Sequence, residues 1–489
     1  MKVLKIFLIL PLAALLLNGC TKDLVPKDYS EINPAIFPRS ASDIEAMVNA
    51  CYYPLRGAYG DGIFSTSENG VMFVADATTE IMHGKYGPQG NASLHNFRSD
   101  DAAFTRYYDV FYNKISRMTT TIDLIQNSTV SENLKTKAIA EVRCARALLA
   151  YTLFDLYGPI VIAPLEVLKS PLTEVPLARL TNEEMVNYIT ADCEAAAADL
   201  PSPSEAEYGR FSKALAIMIN IRLNLHEKNW PKVVTLSNEV IAFNHFSLDA
   251  DYAGMWDLEG AKASNEVIWA IPCDYAGTSE NQWQLMVLPS NYAPKGGYGT
   301  ISSTWWFYDR FEQDDKRKEM LIAEYTGTDG ITYNRSSPGS YLDWGPIPLK
   351  IAEDAQRTSG LTTVDIIMYR YADILLSKAE AIANSGAPTQ EAMDLVNVVR
   401  ARAGLPAKLL SAYSSLSAFN DLILLERSHE FWCENGQYRA DLIRHGKFVS
   451  RAQEVHGTTT TGPNKVVYPF SLTAVAEGKG AFIQNPGYN

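Results

Sequence analysis

The sequence has few cysteines and none of the short motifs that mark a catalytic or metal centre. Its 489 residues include six cysteines, at no spacing that forms a C-x-x-C pair or a zinc-binding set. An H-E-x-x-H helix, a Walker loop and a G-x-S-x-G turn are also absent from it. We therefore predict no disulfide scaffold, no catalytic residue, no cofactor and no metal site.

Positive charge is scarce as well. Lysine and arginine number 43 against 56 aspartates and glutamates, which gives a formal net charge of -13. An acidic chain repels a phosphate backbone, so nucleic acid is excluded as the expected partner. After the first 19 residues no run of 18 apolar residues occurs, and the rest of the sequence therefore predicts no membrane span.

The first 19 residues have the pattern of a targeting segment. Lys2 and Lys5 precede a short apolar run, and the sequence L-N-G-C that follows resembles the bacterial lipoprotein box. That resemblance implies cleavage before Cys20 and lipidation of this cysteine, whose acyl chains would anchor the protein. Residues 20–39 contain three prolines and favour an extended tether. An ordinary cleaved secretory signal with an unmodified Cys20 is the alternative.

Apolar residues recur at helical spacing through most of the remaining chain. Thr181 and Glu184 form the sequence of a capping box, which predicts the start of a helix. The pattern changes in residues 244–366, where glycine, proline and aromatic residues increase and only 266–271 has the character of a strand. We predict a mostly α fold built from tetratricopeptide-like helix pairs, some sharing a helix between neighbours. The predicted pairs are 101–157, 181–227, 213–243 and 367–403.

The stretch from Tyr369 to Arg444 is predicted to form three amphipathic helices, the first reaching back to Ile367. Its residues R-Y-A-D-I-L-L, V-N-V-V-R-A-R-A-G-L-P and E-R-S-H-E-F resemble the carboxy-terminal signature of the SusD/RagB family, and the final Q-N-P-G-Y resembles its closing motif. We interpret the charged residues as ties between helices through charge-assisted hydrogen bonds, and not as a binding site. The matching positions are Arg370, Tyr371, Ala372, Asp373, Glu380, Asn397, Arg400, Arg402, Glu426, Arg427, Glu430, Glu434, Asp441, Leu442 and Arg444.

The resemblance implies a SusD-like fold and a binding function. It implies one domain over residues 40–489, with a helical scaffold mainly in 40–243 and 367–448 and a loop-rich ligand-binding region mainly in 244–366. Family members are surface lipoproteins of the outer membrane that face the cell exterior. They lie over a SusC-like TonB-dependent transporter and capture oligosaccharides or polysaccharides, or in some members peptides, for uptake.

The residues that we predict to bind the ligand come from two groups of loops. Aromatic side chains offer flat apolar faces to sugar rings, while Asp, Asn and His side chains can form hydrogen bonds with hydroxyl groups. Tyr298 is the leading candidate because it follows two glycines, whereas Trp305 and Trp306 open a short helix and are expected to pack. The first group is Asp76, His83, Tyr86 and Asn91, and the second is Trp283, Tyr292, Tyr298, Tyr341 and Trp344.

Two other classes of protein remain open at this point. A helical-repeat scaffold that binds only proteins would explain the helix pairs, but not the aromatic loops. A helical glycoside hydrolase would explain the loops, but it needs two carboxylates that flank a bond, and the adjacent Asp314 and Asp315 cannot do so. The identity of the glycan, the choice between glycan and peptide, and the binding of calcium also remain open.

Overall fold

The structure is a computed structural model that describes residues 37–488, apart from 171, 275–278, 355–356, 358–359, 459–461 and 463–464, and without the side chains of residues 88 and 89. The predicted signal segment 1–19, the lipidation site Cys20 and nearly all of the predicted tether 20–39 lie outside the described residues.

Helices make up most of the regular structure. Short 3-10 helices span Tyr53–Leu55, Gly254–Trp256, Lys316–Met320 and Leu410–Tyr413. In chain order the α-helices are α1 (Ala41–Tyr52), α2 (Val71–Asp76), α3 (Gly87–Ser93), α4 (Ala102–Gln126), α5 (Glu132–Tyr157), α6 (Leu165–Leu168), α7 (Asn182–Asp199), α8 (Lys213–His226), α9 (Trp230–Ala242), α10 (Gly260–Ala263), α11 (Trp283–Val287), α12 (Trp305–Tyr308), α13 (Tyr371–Asn384), α14 (Gln390–Arg402), α15 (Leu416–Phe431), α16 (Gln437–Arg444), α17 (Phe448–His456) and α18 (Leu472–Glu477).

The long helices pack in sequence order and form the scaffold that the sequence predicts. Helix α5 packs on α4 and α7, α8 packs on both α7 and α9, and α13 packs on α9 and α14. The capping box at Thr181 is present, since its side chain accepts from the backbone of Glu184 while the Glu184 carboxylate accepts from the Thr181 N–H at 2.8 Å. The predicted mostly α fold, with α8 shared between two helix pairs, is confirmed.

The strands are short and pair in twos. Each pair is antiparallel, and each is formed by segments that are distant in sequence except for β5 and β6. The pairs are β1 (Met82–Gly84) with β3 (Ile301–Ser303), β2 (Val267–Ile271) with β8 (Ile366–Arg370), β4 (Leu321–Ile322) with β7 (Ile347–Pro348), and β5 (Glu324–Thr326) with β6 (Thr332–Asn334).

Three element boundaries differ from the prediction. Ile367 lies in β8 and not in a helix, because β8 pairs with β2 and the helix begins only at Tyr371. The predicted third helix is divided into α15 and α16, since Asn435 and Gly436 adopt positive φ angles of 41° and 75°. The first predicted group of loops contains two helices, α2 and α3, which are too short to show a helical period.

The buried side chains form one extended core and a smaller one. The extended core includes residues of α1, α4, α5, α7 and α8 together with the loop-rich region. The smaller core lies between α13, α14 and α15. No helix in the described part of the chain combines the length and apolar character that a bilayer crossing requires.

The charged residues of the carboxy-terminal signature are buried and paired. Arg370, only 1% exposed, donates to Glu266 at 2.6 Å and to Glu434 at 2.9 Å, and it also pairs with Glu430. Arg402 pairs with the same Glu430 and with Glu266 at 3.0 Å. Further pairs are Arg317–Glu426 at 2.7 Å, Arg400–Glu426 at 3.1 Å, Arg427–Asp441 at 2.7 Å and Arg444–Glu380 at 2.7 Å.

These pairs connect strand β8 with helices α14 and α15. Burial alone would raise the pKa of Glu430, but the guanidinium groups of Arg402, Arg370 and Arg317 hold it far below its usual value. Glu430 is therefore a buried carboxylate whose negative charge is stabilised by all three guanidinium groups. The interpretation of the signature as a set of ties between helices is confirmed.

Candidate functional site

The pairing of β1 with β3 brings the two predicted groups of loops together. Gly84 lies opposite Ile301 in the ladder, and the backbone N–H of Lys85 extends it by donating to the carbonyl of Thr300 at 2.9 Å. Because the strands are antiparallel, the chain that leaves β1 at Tyr86 runs beside the chain that enters β3 from Tyr298. Residues separated by about two hundred positions therefore share one face.

A cavity of about 380 Å³ opens on this face. It lies between the end of β1, helices α3, α12 and α17, and the loop that carries Trp344. Among the described residues that line it, none is Asp or Glu. The lining residues are His83, Gly84, Lys85, Gly90, Leu94, Thr304, Trp305, Trp306, Trp344, Val455 and His456.

A stacked pair of rings forms one wall. The ring centroids of His83 and Trp344 are 4.4 Å apart and their planes differ by 10°. Trp344 is nevertheless 55% exposed, so His83 supports one side of the indole while much of the ring remains open to solvent. The ring of His456 lies 5.6 Å from that of His83, and its Nε2 is 2.9 Å from the Thr79 carbonyl oxygen. The pair is thus a supported, solvent-facing aromatic surface.

Tyr341 is held beside this surface by Lys85. The Lys85 ammonium donates to the Tyr341 carbonyl at 2.7 Å and lies 4.9 Å from the centroid of the Tyr341 ring. The Tyr341 hydroxyl is 3.0 Å from Ser290 Oγ. Gly299 has a φ of +58°, and a Cβ there would lie 2.5 Å from the Tyr341 ring, so only glycine allows this contact.

Tyr86 and Tyr298 do not line the cavity, but they are the most exposed of the predicted aromatic residues, at 65% and 61%. Their backbones are nevertheless fixed. Tyr86 precedes α3 as its N-cap residue, and the N–H of Tyr298 donates to the carbonyl of Leu285 at 2.6 Å. Fixed backbones with open rings give flat apolar surfaces that lose little entropy when a ligand binds.

The ionisable groups of the cavity are shifted by burial. Burial, with Lys85 and His456 nearby, lowers the pKa of His83 to about 4, and burial lowers the pKa of His456 as well. Burial also lowers the pKa of Lys85 to about 8, against the opposing effect of Asp343. At neutral pH both histidines are therefore neutral hydrogen-bonding groups, and Lys85 is the one charged side chain among the described residues that line the cavity.

Two predicted residues are buried in the core, and we correct the prediction for both. Trp283 is fully buried, donates from Nε1 to the Pro348 carbonyl at 2.9 Å and packs 5.4 Å from the ring of Phe73. Asp76 ends the buried helix α2 and is likewise fully buried. Neither side chain presents a surface to a ligand.

Of the predicted residues, only His83 and Trp344 line the cavity; Tyr341 lies outside the lining, and so do two further residues. Asn91 donates to Asp101 at 2.9 Å, beside the start of α4. Tyr292 donates to Glu353 at 2.7 Å and belongs to a neighbouring group of tyrosine rings. Both side chains are half-buried and engaged with neighbours.

Sequence reasoning missed several residues that line the cavity. Trp305 and Trp306 do open a short helix as predicted, but they are only half-buried and turn part of their rings to the cavity. Lys85 sits in a predicted loop group with nothing to distinguish it, and His456 is about 370 residues from His83, so no local signal joins them.

Comparison with known proteins agrees with the fold. A model described as the SusD family matches residues 325–484, and a second one, described as starch-binding and associating with the outer membrane, matches residues 28–225. The chain belongs to the SusD/RagB family. Within the described residues of this family member, no group of three or more His, Cys, Asp or Glu side chains could hold a metal ion.

Related proteins cover nearly the whole chain. SusD-like protein P38 of Formosa agariphila is 26% identical over 93% of both chains, and SusD-like protein P25 of the same organism is 23% identical over 93% of this chain and 92% of its own. Among solved structures, surface glycan-binding protein A from Bacteroides thetaiotaomicron, in complex with laminarihexaose, has a TM-score of 0.73 at 19% identity, covering 91% of this chain and 99% of its own. That similarity concerns the fold.

Proposed function

We propose that this SusD/RagB family protein binds oligosaccharides or polysaccharides at the cell surface and does not change them chemically. The observation that carries this proposal is the stacked His83–Trp344 pair, which lines the cavity and keeps the indole 55% exposed. Sugar rings present flat CH faces that pack on such surfaces, while their hydroxyls need neutral hydrogen-bonding groups at the edges.

The chemistry of the cavity supports a sugar ligand over a charged one. His83 and His456 are neutral at physiological pH because burial lowers their pKa values. They can exchange hydrogen bonds with hydroxyls. Because each bound hydroxyl gives up a water, the net gain is small, and we expect dissociation constants on the order of micromolar to millimolar.

The absence of acidic residues from the described cavity lining supports binding without hydrolysis. A glycosidase places two carboxylates about 5 to 9.5 Å apart on either side of the bond that it cleaves. We propose that the protein has no such pair at this site and acts only by binding.

The cellular role that we propose follows the family. One of its matching family models is described as starch-binding, and one relative of the same fold was solved with laminarihexaose. We propose that residues 40–489 form a single domain anchored to the outer membrane through the lipidated Cys20. It would face the cell exterior and deliver glycans to a SusC-like TonB-dependent transporter.

Native gels that contain a panel of polysaccharides, run with the chain from Thr21 onward, test the proposal. We expect at least one polymer to slow the protein without any release of reducing sugar. Trp344→Ala and Tyr298→Ala should each weaken this retardation about tenfold, which corresponds to about 1.4 kcal/mol of lost ring packing. Tyr59→Ala is the matched control, since Tyr59 is 53% exposed but belongs to neither predicted group of loops.

Two results would contradict the proposal. Released sugar would make the protein a hydrolase. Retardation on no polymer, together with binding of peptides, would assign the exposed rings to peptide capture.

A further inference from the structure

A second cavity, of about 200 Å³, lies behind Trp306. Trp306 borders both cavities, and the backbone at Glu80 helps to separate them, since the hydroxyl of Thr304 in the first cavity donates to the Glu80 carbonyl. We call the second one the Glu80 cavity. Its lining residues are Glu80, Trp306, Phe307, Arg310, Asp421, Leu424, Leu425, Ser428, His429, Tyr438 and Arg451.

Glu80 supplies this cavity with an unused acceptor. The residue is 1% exposed, and its Oε1 accepts from the Tyr438 hydroxyl at 2.7 Å and from Arg451 at 2.7 Å. Its Oε2 is buried and has no hydrogen-bond partner within the described part of the chain. Burial raises the pKa of this carboxyl, and the charge of Arg451 opposes that effect. A buried acceptor left unused destabilises a protein, so a ligand that satisfies it is favoured.

His429 supplies a second such atom. Its ring is 3% exposed and stacks on Phe311 with centroids 4.0 Å apart, and its Nε2 is buried without a hydrogen-bond partner among the described residues. Burial and the nearby Arg317 and Arg400 hold the pKa of His429 well below its usual value. The imidazole is therefore neutral, and it can accept or donate one hydrogen bond at Nε2.

The mouth of the Glu80 cavity carries charges of both signs. Arg310 lies 3.0 Å from the centroid of the Trp306 ring, whose Nε1 donates to Glu454 at 3.0 Å. Asp421 is exposed and also lines the cavity. A cationic ligand would meet Arg310 and Arg451, and an anionic ligand would meet Asp421 and Glu80. This balance favours a neutral ligand that is rich in hydroxyl groups.

We propose that the Glu80 cavity binds one neutral sugar unit, as a branch or chain end of the glycan whose main chain lies on the His83–Trp344 surface. A hydroxyl of this unit donates to Glu80 Oε2, and a second one bonds His429 Nε2. The volume is below the roughly 300 to 1,000 Å³ of pockets for larger ligands, which suits a single ring. This inference rests on the proposed function.

Two leucines on helix α15 allow a matched test. Leu425 lines the mouth and is 40% exposed, whereas Leu416 is 38% exposed and does not line the cavity. We expect Leu425→Trp to block the mouth while the fold is kept, because the side chain is already partly in solvent, and Leu416→Trp to leave the cavity open.

The measurement is saturation-transfer NMR with free glucose, galactose, mannose, xylose, fucose and N-acetylglucosamine, each at millimolar concentration. We expect at least one sugar to bind wild type and the Leu416→Trp variant, and its signal to fall at least fivefold in the Leu425→Trp variant. Glu80→Gln, which keeps the shape of the side chain, should also weaken it. Absence of binding by all six sugars, or a signal unchanged in Leu425→Trp, overturns the inference.

The polysaccharide gels separate this inference from the proposed function. If a polymer is retained by wild type and lost in Trp344→Ala, while no free sugar binds the Glu80 cavity, the inference fails and the proposed function stands. If a free sugar binds and the Leu425→Trp variant blocks it, but no polymer is retained, the proposed main-chain surface fails instead.

Discussion

The charged interior and the aromatic face of this protein are built on opposite principles. In the interior, Arg370 and Glu430 are almost completely buried, and each is held by several partners of opposite charge. On the face, Trp344, Tyr86 and Tyr298 leave more than half of their surface in solvent. The interior requires particular residues at particular positions, because a lone buried charge is very costly. The face requires only a flat ring on a fixed loop.

The largest difference between the two regions should appear in stability. Glu430→Gln removes the negative charge shared by Arg370, Arg402 and Arg317 and leaves three buried cations undercompensated. Breaking a buried ion pair in this way costs about 3 to 5 kcal/mol. We expect the free energy of unfolding in urea to fall by that amount, if the variant folds at all.

Asp309→Asn is the control for this substitution. Asp309 pairs with Arg335 at 3.0 Å, and both side chains are about half exposed. Exposed pairs contribute about 0 to 1 kcal/mol. A loss of similar size in the two variants would show that the buried network does not carry the stability of the carboxy-terminal helices.

A second substitution in the interior should act in the opposite direction. Asp76 is fully buried near Glu434 and Asp441, and burial raises its pKa well above the usual value, against the effect of Lys350. A carboxyl with a raised folded-state pKa favours the fold below the unfolded-state pKa of about 3.9, and this contribution is lost as the pH rises through the folded-state value. The side chain introduced by Asp76→Asn cannot ionise, so this variant does not lose stability as the pH rises.

We therefore expect the free energy of unfolding of Asp76→Asn to equal that of wild type at about pH 4 and to exceed it by about 1 to 3 kcal/mol at about pH 8. This is the cost that buried groups without a partner have in other proteins. Urea unfolding at the two pH values measures the effect. Equal stability of both proteins at the two pH values would show that Asp76 does not titrate within this range.

The contrast also explains which features could be predicted from sequence. Arg370 and Glu430 belong to a stretch whose charged residues recur at visible spacings, so their role as ties could be predicted and is confirmed, although Arg370 lies at the end of a strand that was predicted to be helical. The cavity joins His83 with Trp344 and His456, which meet only because β1 pairs with β3 and α17 packs nearby. Trp283 shows the limit of prediction from sequence, because an aromatic residue in a loop-rich region has the same local pattern whether it is buried or exposed.

The third prediction concerns the face. Trp344→Ala should change the free energy of unfolding by less than about 1 kcal/mol, because a half-exposed ring on a loop loses little burial when truncated. Its polysaccharide binding should fall about tenfold or more in the same preparation. Urea unfolding and the affinity gels measure the two quantities, and a large loss of stability would show that Trp344 is a packing residue.

The smallest effect should be the response of the face to pH. Burial lowers the pKa of His83 to about 4, below the unfolded-state value of about 6.5. The neutral imidazole is therefore favoured by the fold, and its contribution to stability is complete above about pH 6.5 and is lost as the pH falls toward 4. Lys85, with a pKa of about 8, remains charged over most of the same range.

We consequently expect glycan affinity to be the same at about pH 5.5 and about pH 7, because neither the His83–Trp344 pair nor the Lys85–Tyr341 contact changes its charge between them. The His83 ring resonance, assigned with a His83→Phe variant, should titrate near 4 by NMR. A midpoint above about 6 would mean that His83 is solvated and does not support the indole. In that case the exposed ring of Trp344 would lose its platform, and the face would differ from the interior in rigidity as well as in burial.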